Sequence, residues 1–594
     1  MRRSHSRFGA VLLASTALSG VEPVLAGGIS ILPTGGSVAS GSVTISPPSG
    51  NTLNIRQSSQ GAIVNWQGFS IGQGNTVNIH QPGSSAALLN RVTGSTPSTI
   101  AGRLNANGQV YLVNPNGVAI TKTGVVRAAG FVASTLGVSN EDFLSGRARL
   151  KFKGGGASKA VTNDGVIRVG RGGYAALIGG TVSNSGKILA LMGKVGLGSG
   201  ETATLDFSGN GFLKVAAPTR FNGKEALVSN TGTIKADGGL VVIEAATARE
   251  AARNAVNISG LVQARSIGGH SGAIVIGGGA GGAVNVSGRL DASSVSGKGD
   301  LGKGGRIAIT GREIALRSAA VDVSGGAGGG KVRIGGGPQG TGKLSHAASV
   351  RIDSATTIKA DATANGEGGS VVVWSDGATS VNGRITARGG ASGGAGGAVE
   401  TSGKTVDFAG LSVDTSAPRG GAGIWLIDPV NLTVGAAAAN TISGNLASTN
   451  VTLQTTAGGA SGPGVQTPGA GDITIASAIS WSSPQSLTLD AYHAIAINAP
   501  VTIKGAGKLS LNAAADPMIP TLALLSFASG AGVQFTGAPN TGQALTINSQ
   551  SYTLLYSMSD VLGVNSNLAG HYALAKPLDA AGTTYTQALI APGG

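Results

Sequence analysis

A loose nonapeptide, V-x-N-x-G-x-I-x-A, recurs along the chain and limits what the chain can fold into. It stands at residues 161–169 around Asn163 and Gly165, at 182–190 around Asn184 and Gly186, and at 228–236 around Asn230 and Gly232. Degenerate copies surround Gly260, Gly288 and Gly383, so the intervals between these glycines are 21, 46, 28, 28 and 95 residues. A less regular copy at residues 321–325 falls inside the longest interval. Between copies lie short alternating runs at 240–244, 273–276, 306–310, 332–334 and 371–374. A period of two suits strands with one buried face. None of these runs buries its apolar face alone, but one coil stacked on the next makes a continuous core. The expectation is all-β: an elongated, single-stranded parallel β-helix with an N-terminal cap and small β extensions. Glycine and asparagine at the corners are expected to supply positive φ. About 568 mature residues at roughly 20–28 per coil predict some 20–28 coils and a rod of roughly 100–130 Å, at ~4.8 Å per coil. A sandwich or jelly roll would use longer strands and fewer glycine runs.

Composition removes the competing classes. Glycine is 102 of 594 residues, without the strict third-residue period of collagen. It is too frequent for long helices. Hydrophobic residues at 41% against charged residues at 12% argue against wholesale disorder. Helix is expected only at about 516–526 and 558–564. Cysteine is absent, which excludes disulfides, cysteine-ligated zinc and iron–sulfur clusters. The net charge of +15 sits in the centre of the chain. It serves solubility and would also attract an anionic polysaccharide or lipid surface. No nucleic-acid module accompanies it, and aromatics for base stacking are scarce.

The N-terminus reads as an export signal. Arg2, Arg3 and Arg7 precede a mostly apolar stretch at 8–18, and Val24, Leu25 and Ala26 lead into Gly27 and Gly28. Cleavage is expected near Ala26. Elsewhere no window holds 18 apolar residues, as a spanning helix would need. The chain then divides into a signal at 1–26, an N-terminal domain at 27–150, a glycine-rich repeat body at 151–430 and a C-terminal β region at 431–594.

One motif stands out in the second zone. Asn114, Pro115, Asn116 and Gly117 put asparagine first, proline second and glycine fourth, as a type I turn prefers. The Asn114 amide can bond to backbone, and Pro115 fixes φ. Together with residues 104–118, with Trp66 to Gly72, with Asn90 to Gly94 and with residues 133–143, this motif resembles the secretion domain of filamentous haemagglutinin-like proteins. These are the exported partners of two-partner secretion systems. Residues 365–435 resemble the distal part of large adhesins of this type. Residues 552–574 resemble the opening of a further repeat module, so a shortened natural protein or a fragment is expected.

The resemblance implies a right-handed β-helix. It implies export by the general secretory machinery, then passage through a dedicated outer-membrane β-barrel transporter that recognises the domain. The destination is the extracellular space or the outer-membrane surface of a Gram-negative bacterium. The family's secretion motif maps onto Asn114, Pro115, Asn116 and Gly117, with Asn90 and Gly94 as a supporting turn. The family's earlier Asn-Pro-Asn-Leu motif is absent.

Residues for catalysis, cofactors or metals are not apparent. His5, His80, His270, His346, His493 and His571 are isolated and show no zinc spacing. Residues 297–303 and 325–331 imitate a phosphate loop, but Gly304 and Val332 stand where Ser or Thr should follow the lysine. Asp206, Asp237, Asp291, Asp322 and Asp353 are singletons in turn-like contexts rather than paired carboxylates. The expected function is a nonenzymatic adhesin or haemagglutinin-like protein that meets a glycan or protein on a host or neighbouring cell. The alternatives are a carrier for a cytolysin or growth-inhibition toxin, and a β-helical polysaccharide-active enzyme.

Overall fold

The structure, a computed structural model, describes residues 31–209, 211–249, 253–294, 301–455, 471–514, 524–582 and 584–591. The expected signal and its cleavage site lie outside the described residues.

The repeat copies fold as coils with three walls. In the third copy, Val228–Asn230 runs along one wall, Thr233–Lys235 along the next and Leu240–Ala245 along the third. Val228, Asn230, Ile234, Ala236, Val241 and Ile243 are all buried. The alternation seen in the sequence therefore points these side chains into the coil, and the residues between them out. Each strand pairs in parallel with its counterpart one coil away: Val228 opposite Val182 and Val256, and Ile234 opposite Ile188 and Val262. The fold is a parallel β-helix.

The third wall is continuous. Sixteen parallel pairings join seventeen successive strands, from Gly61–Trp66 to Ala544–Ile547. At ~4.8 Å per step this wall is about 77 Å long. Among the described residues, seventeen coils are fewer than the 20–28 predicted, because excursions between coils and caps at the ends consume residues without adding height.

The repeat glycines do not serve the purpose expected of them. Gly165, Gly186, Gly232, Gly260 and Gly288 have no positive φ. They stack in a column instead. A Cβ on Gly186 would lie 2.1 Å from the carbonyl oxygen of Gly165, one on Gly232 2.2 Å from that of Gly186, and one on Gly260 2.1 Å from that of Gly232. A second column precedes the continuous wall. There a Cβ on Gly330, Gly369, Gly397 or Gly423 would meet the preceding glycine's oxygen at 2.2 Å or less. Glycine is required because the coils touch at these corners. The repeat asparagines likewise lack positive φ and form a buried ladder. Asn163 Nδ2 donates to Asn184 Oδ1 at 2.7 Å, and Asn184 Nδ2 to Asn230 Oδ1 at 2.6 Å. The chain of amides pairs polar atoms that burial would otherwise penalise, and leaves Asn163 Oδ1 at its end without a hydrogen bond.

Antiparallel strands close the first coil: Ser37–Ser40 pairs with Gly61–Trp66 and Val43–Ile45 with Thr52–Gln57. The row of backbone groups at that end is thereby covered. An extension leaves the coil after residue 134. Helix Asn140–Leu144, capped by Ser139, and the antiparallel strands Arg149–Lys153, Thr202–Asp206 and Leu213–Ala216 lie against the outside of the continuous wall. Phe143, Phe152 and Phe212 form a second core there with Ile63, Tyr111 and Tyr174.

Near residue 430 a helix, Ala436–Asn445, enters the coil where the sequence predicts only β structure. Its run of four alanines was the available signal. Asn445 Oδ1 accepts from Val413 N at 2.7 Å and its Nδ2 donates to Leu411 O at 2.8 Å. Thr449 Oγ1 accepts from Thr415 N at 3.0 Å and donates to Val413 O at 3.1 Å. Two side chains thus supply the donors and acceptors that a neighbouring strand would have supplied. Above the helix, coils resume with Ile473–Ile475, Ile479–Trp481 and Ser486–Asp490. The helix expected at 558–564 is present as Met558–Gly563, with a capping box between Ser557 and Asp560. The one expected at 516–526 lies outside the described residues, except that its last residues belong to strand Leu525–Phe527.

Two predictions follow from stacking and burial. Gly232→Ala is expected to lower stability by about 1–3 kcal/mol through overpacking. Gly83→Ala, where a Cβ meets nothing within 4 Å, should be near neutral; chemical denaturation compares the two. The second concerns Asp428, which is 1% exposed and has an Oδ1 without a hydrogen bond. Burial pushes its carboxyl up to about 7, helped by the nearby carboxylates of Glu400 and Asp490. Unfolded, it ionises near 3.8. The folded state therefore binds the extra proton between these values. Stability should fall as pH rises from about 4 to about 7, by on the order of 2–4 kcal/mol, and then level off. Asp428→Asn should flatten that fall in denaturation midpoints measured across the same pH range.

Candidate functional site: the turn at residues 114–117

Strand Gln109–Val113 ends on the continuous wall, and strand Val118–Ile120 begins the next wall. The Asn114, Pro115, Asn116 and Gly117 corner joins them. Gly117 N donates to Asn114 O at 3.1 Å, which closes a four-residue turn. Asn116 has no positive φ, which rules out a type II turn, whereas Gly117 has φ +125°. Asn114 Oδ1 accepts from Asn116 N at 2.9 Å and from Asn116 Nδ2 at 3.0 Å. The side chain of the first residue therefore organises the turn from inside.

The same side chain reaches the coil below. Asn114 is fully buried. Its Nδ2 donates to Thr96 O at 2.9 Å and Ser98 Oγ at 3.0 Å. Its backbone N donates to Ser134 O at 2.9 Å, in the coil above. Asn116 Nδ2 donates to Gly94 O at 2.8 Å, and Ser98 N donates to Gly117 O at 3.0 Å. The turn is a tie between three successive coils. Its exposed part is small: Pro115 is exposed, Asn116 is half-buried, and Asn114 and Gly117 are inside.

Gly94 joins this site through its carbonyl, and a Cβ there would lie 2.1 Å from Gln67 O. Asn90 does not. It sits within strand Ala87–Val92, where Oδ1 accepts from Trp66 Nε1 at 3.0 Å. Thr96, Ser98 and Ser134 are partners that the sequence did not disclose, since each comes from another stretch of chain. Beside the site, Arg91 Nη2 donates to Val138 O at 2.8 Å, and burial lowers the Arg91 pKa.

The other candidate residues hold local structure. Asp237 pairs with Arg265 at 2.8 Å and Asp206 with Arg149 at 2.7 Å. Asp291 accepts from Ser293 N at 3.1 Å and Asp322 from Ser324 N at 2.9 Å. Asp353 accepts from Ser318 N at 3.0 Å and Thr356 Oγ1 at 2.7 Å. His346 bonds Asp376 at 2.9 Å, and His493 bonds Asp472 at 2.7 Å. Among the described residues, no three His, Cys, Asp or Glu side chains converge as a metal would need.

The chain has relatives. The family model for the TPS secretion domain matches residues 29–292. A heme/hemopexin-binding protein of Haemophilus influenzae (strain ATCC 51907 / DSM 11121 / KW20 / Rd) is 35% identical over 213 residues, which are 34% of this chain and 23% of that protein. A second Haemophilus influenzae protein of the same description is 44% identical over 95 residues, which are 16% of this chain and 10% of that protein. The chain thus spans about a quarter or less of the curated relatives it matches. The crystal structure of the HMW1 secretion domain from Haemophilus influenzae aligns with a TM-score of 0.54 at 30% identity, over 67% of this chain and all of that one. With its capped β-helix and this match, the chain belongs to the two-partner secretion exoproteins, the filamentous haemagglutinin-like proteins that carry a TPS secretion domain and cross the outer membrane of Gram-negative bacteria through a transporter of the same system.

Proposed function

We propose that the chain is a nonenzymatic adhesin, a rod that carries binding surfaces away from the cell after export. The continuous seventeen-strand wall carries this reading. It makes a stiff support from backbone bonds and, beyond the coils that the lateral extension covers, leaves outward positions available to a surface glycan or protein. Asp237, Asp353, His346 and His493 are engaged in local hydrogen bonds. A second reading is acquisition of haem or of a haem carrier, favoured by what the Haemophilus relatives are described as binding.

Within export, the 114–117 turn has two separable roles. Asn114 and Gly117 act through folding, because they are buried. Pro115 and the exposed side of Asn116 are what a transporter can touch. The general secretory machinery brings the chain to the periplasm, and the N-terminal coils then engage the transporter.

The ratio of secreted to periplasmic protein tests this, with and without the transporter. Wild-type secretion should require it; secretion that ignores the transporter would overturn the route. Asn114→Ala should cost about 2–3 kcal/mol of stability, because it leaves buried partners unsatisfied. Gly117→Val should cost roughly 1 kcal/mol or more through backbone strain. Both should lower secretion in step with stability. Pro115→Ala should change stability by less than about 1 kcal/mol. A fall in its secretion at unchanged stability reports a transporter contact, and normal secretion assigns the turn to folding alone. Binding of the secreted protein to cells, compared with its binding to haem, separates the adhesin reading from the second one.

A further inference from the structure

The continuous wall has a groove on its outside. One depression is lined by Lys194, Lys303, Arg306 and Lys331, and another by Lys331, Ser370, Asn450, Thr452 and Thr488. They share Lys303, Gly329, Gly330 and Lys331, so they form one channel along the rod axis. From the coil of Lys194 to that of Ser486 the channel runs nine steps, about 43 Å at ~4.8 Å per step. The second glycine column makes its floor, and the side chains that open each strand of the wall make its side.

Charge in the channel is uneven and uncompensated. Arg306 and Lys331 stand directly opposite each other on neighbouring strands, an arrangement that costs stability. Lys303 lies beside them. All three are exposed and form no ion pair among the described residues. Glu367 is the one acid lining the channel among the described residues. Beyond this basic half, the outward side chains become hydroxyls and amides: Ser370, Asn450, Thr452, Ser486 and Thr488. Thr452 faces Thr488 in register.

We infer that this channel binds an extended, carboxylate-bearing polysaccharide, laid parallel to the rod. The inference rests on the adhesin reading and names the ligand class and its site. Carboxylates relieve the repulsion among Lys303, Arg306 and Lys331. Sugar hydroxyls pair with Thr452 and Thr488 further along, whereas Asn450 already spends its amide on Ala422 O, Gly423 O and Ser486. The rise of one coil is close to the length of one sugar residue in an extended chain, so successive sugars meet successive coils. A folded acidic protein would not follow a channel this long. A nucleic acid would lack the aromatic platforms that hold single strands.

The test uses the full secreted chain with polygalacturonate, and with dextran and single-stranded DNA as comparisons. Wild type should bind polygalacturonate in a salt-sensitive manner and not dextran. Arg306→Glu with Lys331→Glu should weaken binding at least tenfold. Ala398→Trp, at an exposed position in the channel side, should do the same without changing charge. Lys359→Glu with Arg384→Glu, exposed on another wall, matches the charge change and should alter binding less than twofold. Unchanged unfolding midpoints in all variants exclude a folding defect. The inference falls if wild type does not bind polygalacturonate, if the control pair weakens binding equally, or if DNA binds as tightly and Ala398→Trp has no effect. Cell binding of the same variants keeps the two readings apart. Cell attachment that survives channel substitutions sinks the channel and leaves the adhesin standing.

Discussion

Backbone hydrogen bonds between one coil and the next are the constraint on which everything else in this protein depends. Each coil is shaped by the coil beneath it, at a spacing of ~4.8 Å that no side chain can widen. Where the chain turns a corner at that spacing, a Cβ has no room, and two columns of glycine result. Where a polar side chain points inward, its partner comes from a neighbouring coil, as with the ladder of Asn163, Asn184 and Asn230 and the pair Trp66 and Asn90. The ladder also leaves open ends. The antiparallel strands at residues 37–45 answer that need at the start of the rod.

The 114–117 turn shows how a short motif serves this constraint. Its first asparagine spends its whole side chain on its own turn and on the coil below. A residue so engaged cannot also face a partner. What the turn offers outward is a proline ring and part of one amide. Near residue 440 the same logic appears in a different form. Asn445 and Thr449 stand in for the edge of a strand, so a helix fits into a stack built for strands. The continuous wall passes that point without a break.

The sequence showed the repeat, the alternation and the secretion motif, and from these the fold class could be read. Coil boundaries followed at Val228, Gly232 and Leu240 because the inward residues alternate so regularly. The repeat glycines are selected by a blocked Cβ rather than by the expected positive φ, which other turn glycines such as Gly117 and Gly238 do adopt. Positive φ and a blocked Cβ both select glycine, and only the position of the neighbouring coil distinguishes them. The helix at 436–445 was missed because four alanines suit either a helix or a tight strand corner, and contact with Leu411 and Val413 decides between them. Of the candidate site, the turn itself was legible. Its anchors at Thr96, Ser98 and Ser134 were not, since sequence distance says nothing about which coil lies above or below.

The glycine column also separates the height of the rod from the length of its chain. Gly165, Gly186 and Gly232 sit one coil apart in space, although 21 residues lie between the first two and 46 between the second pair. The surplus leaves sideways as the strands Thr202–Asp206 and Leu213–Ala216. Growth of this kind changes the flank of the molecule while every later coil keeps its place. A lineage of such proteins can therefore acquire or discard lateral outgrowths without altering how far its tip stands from the cell.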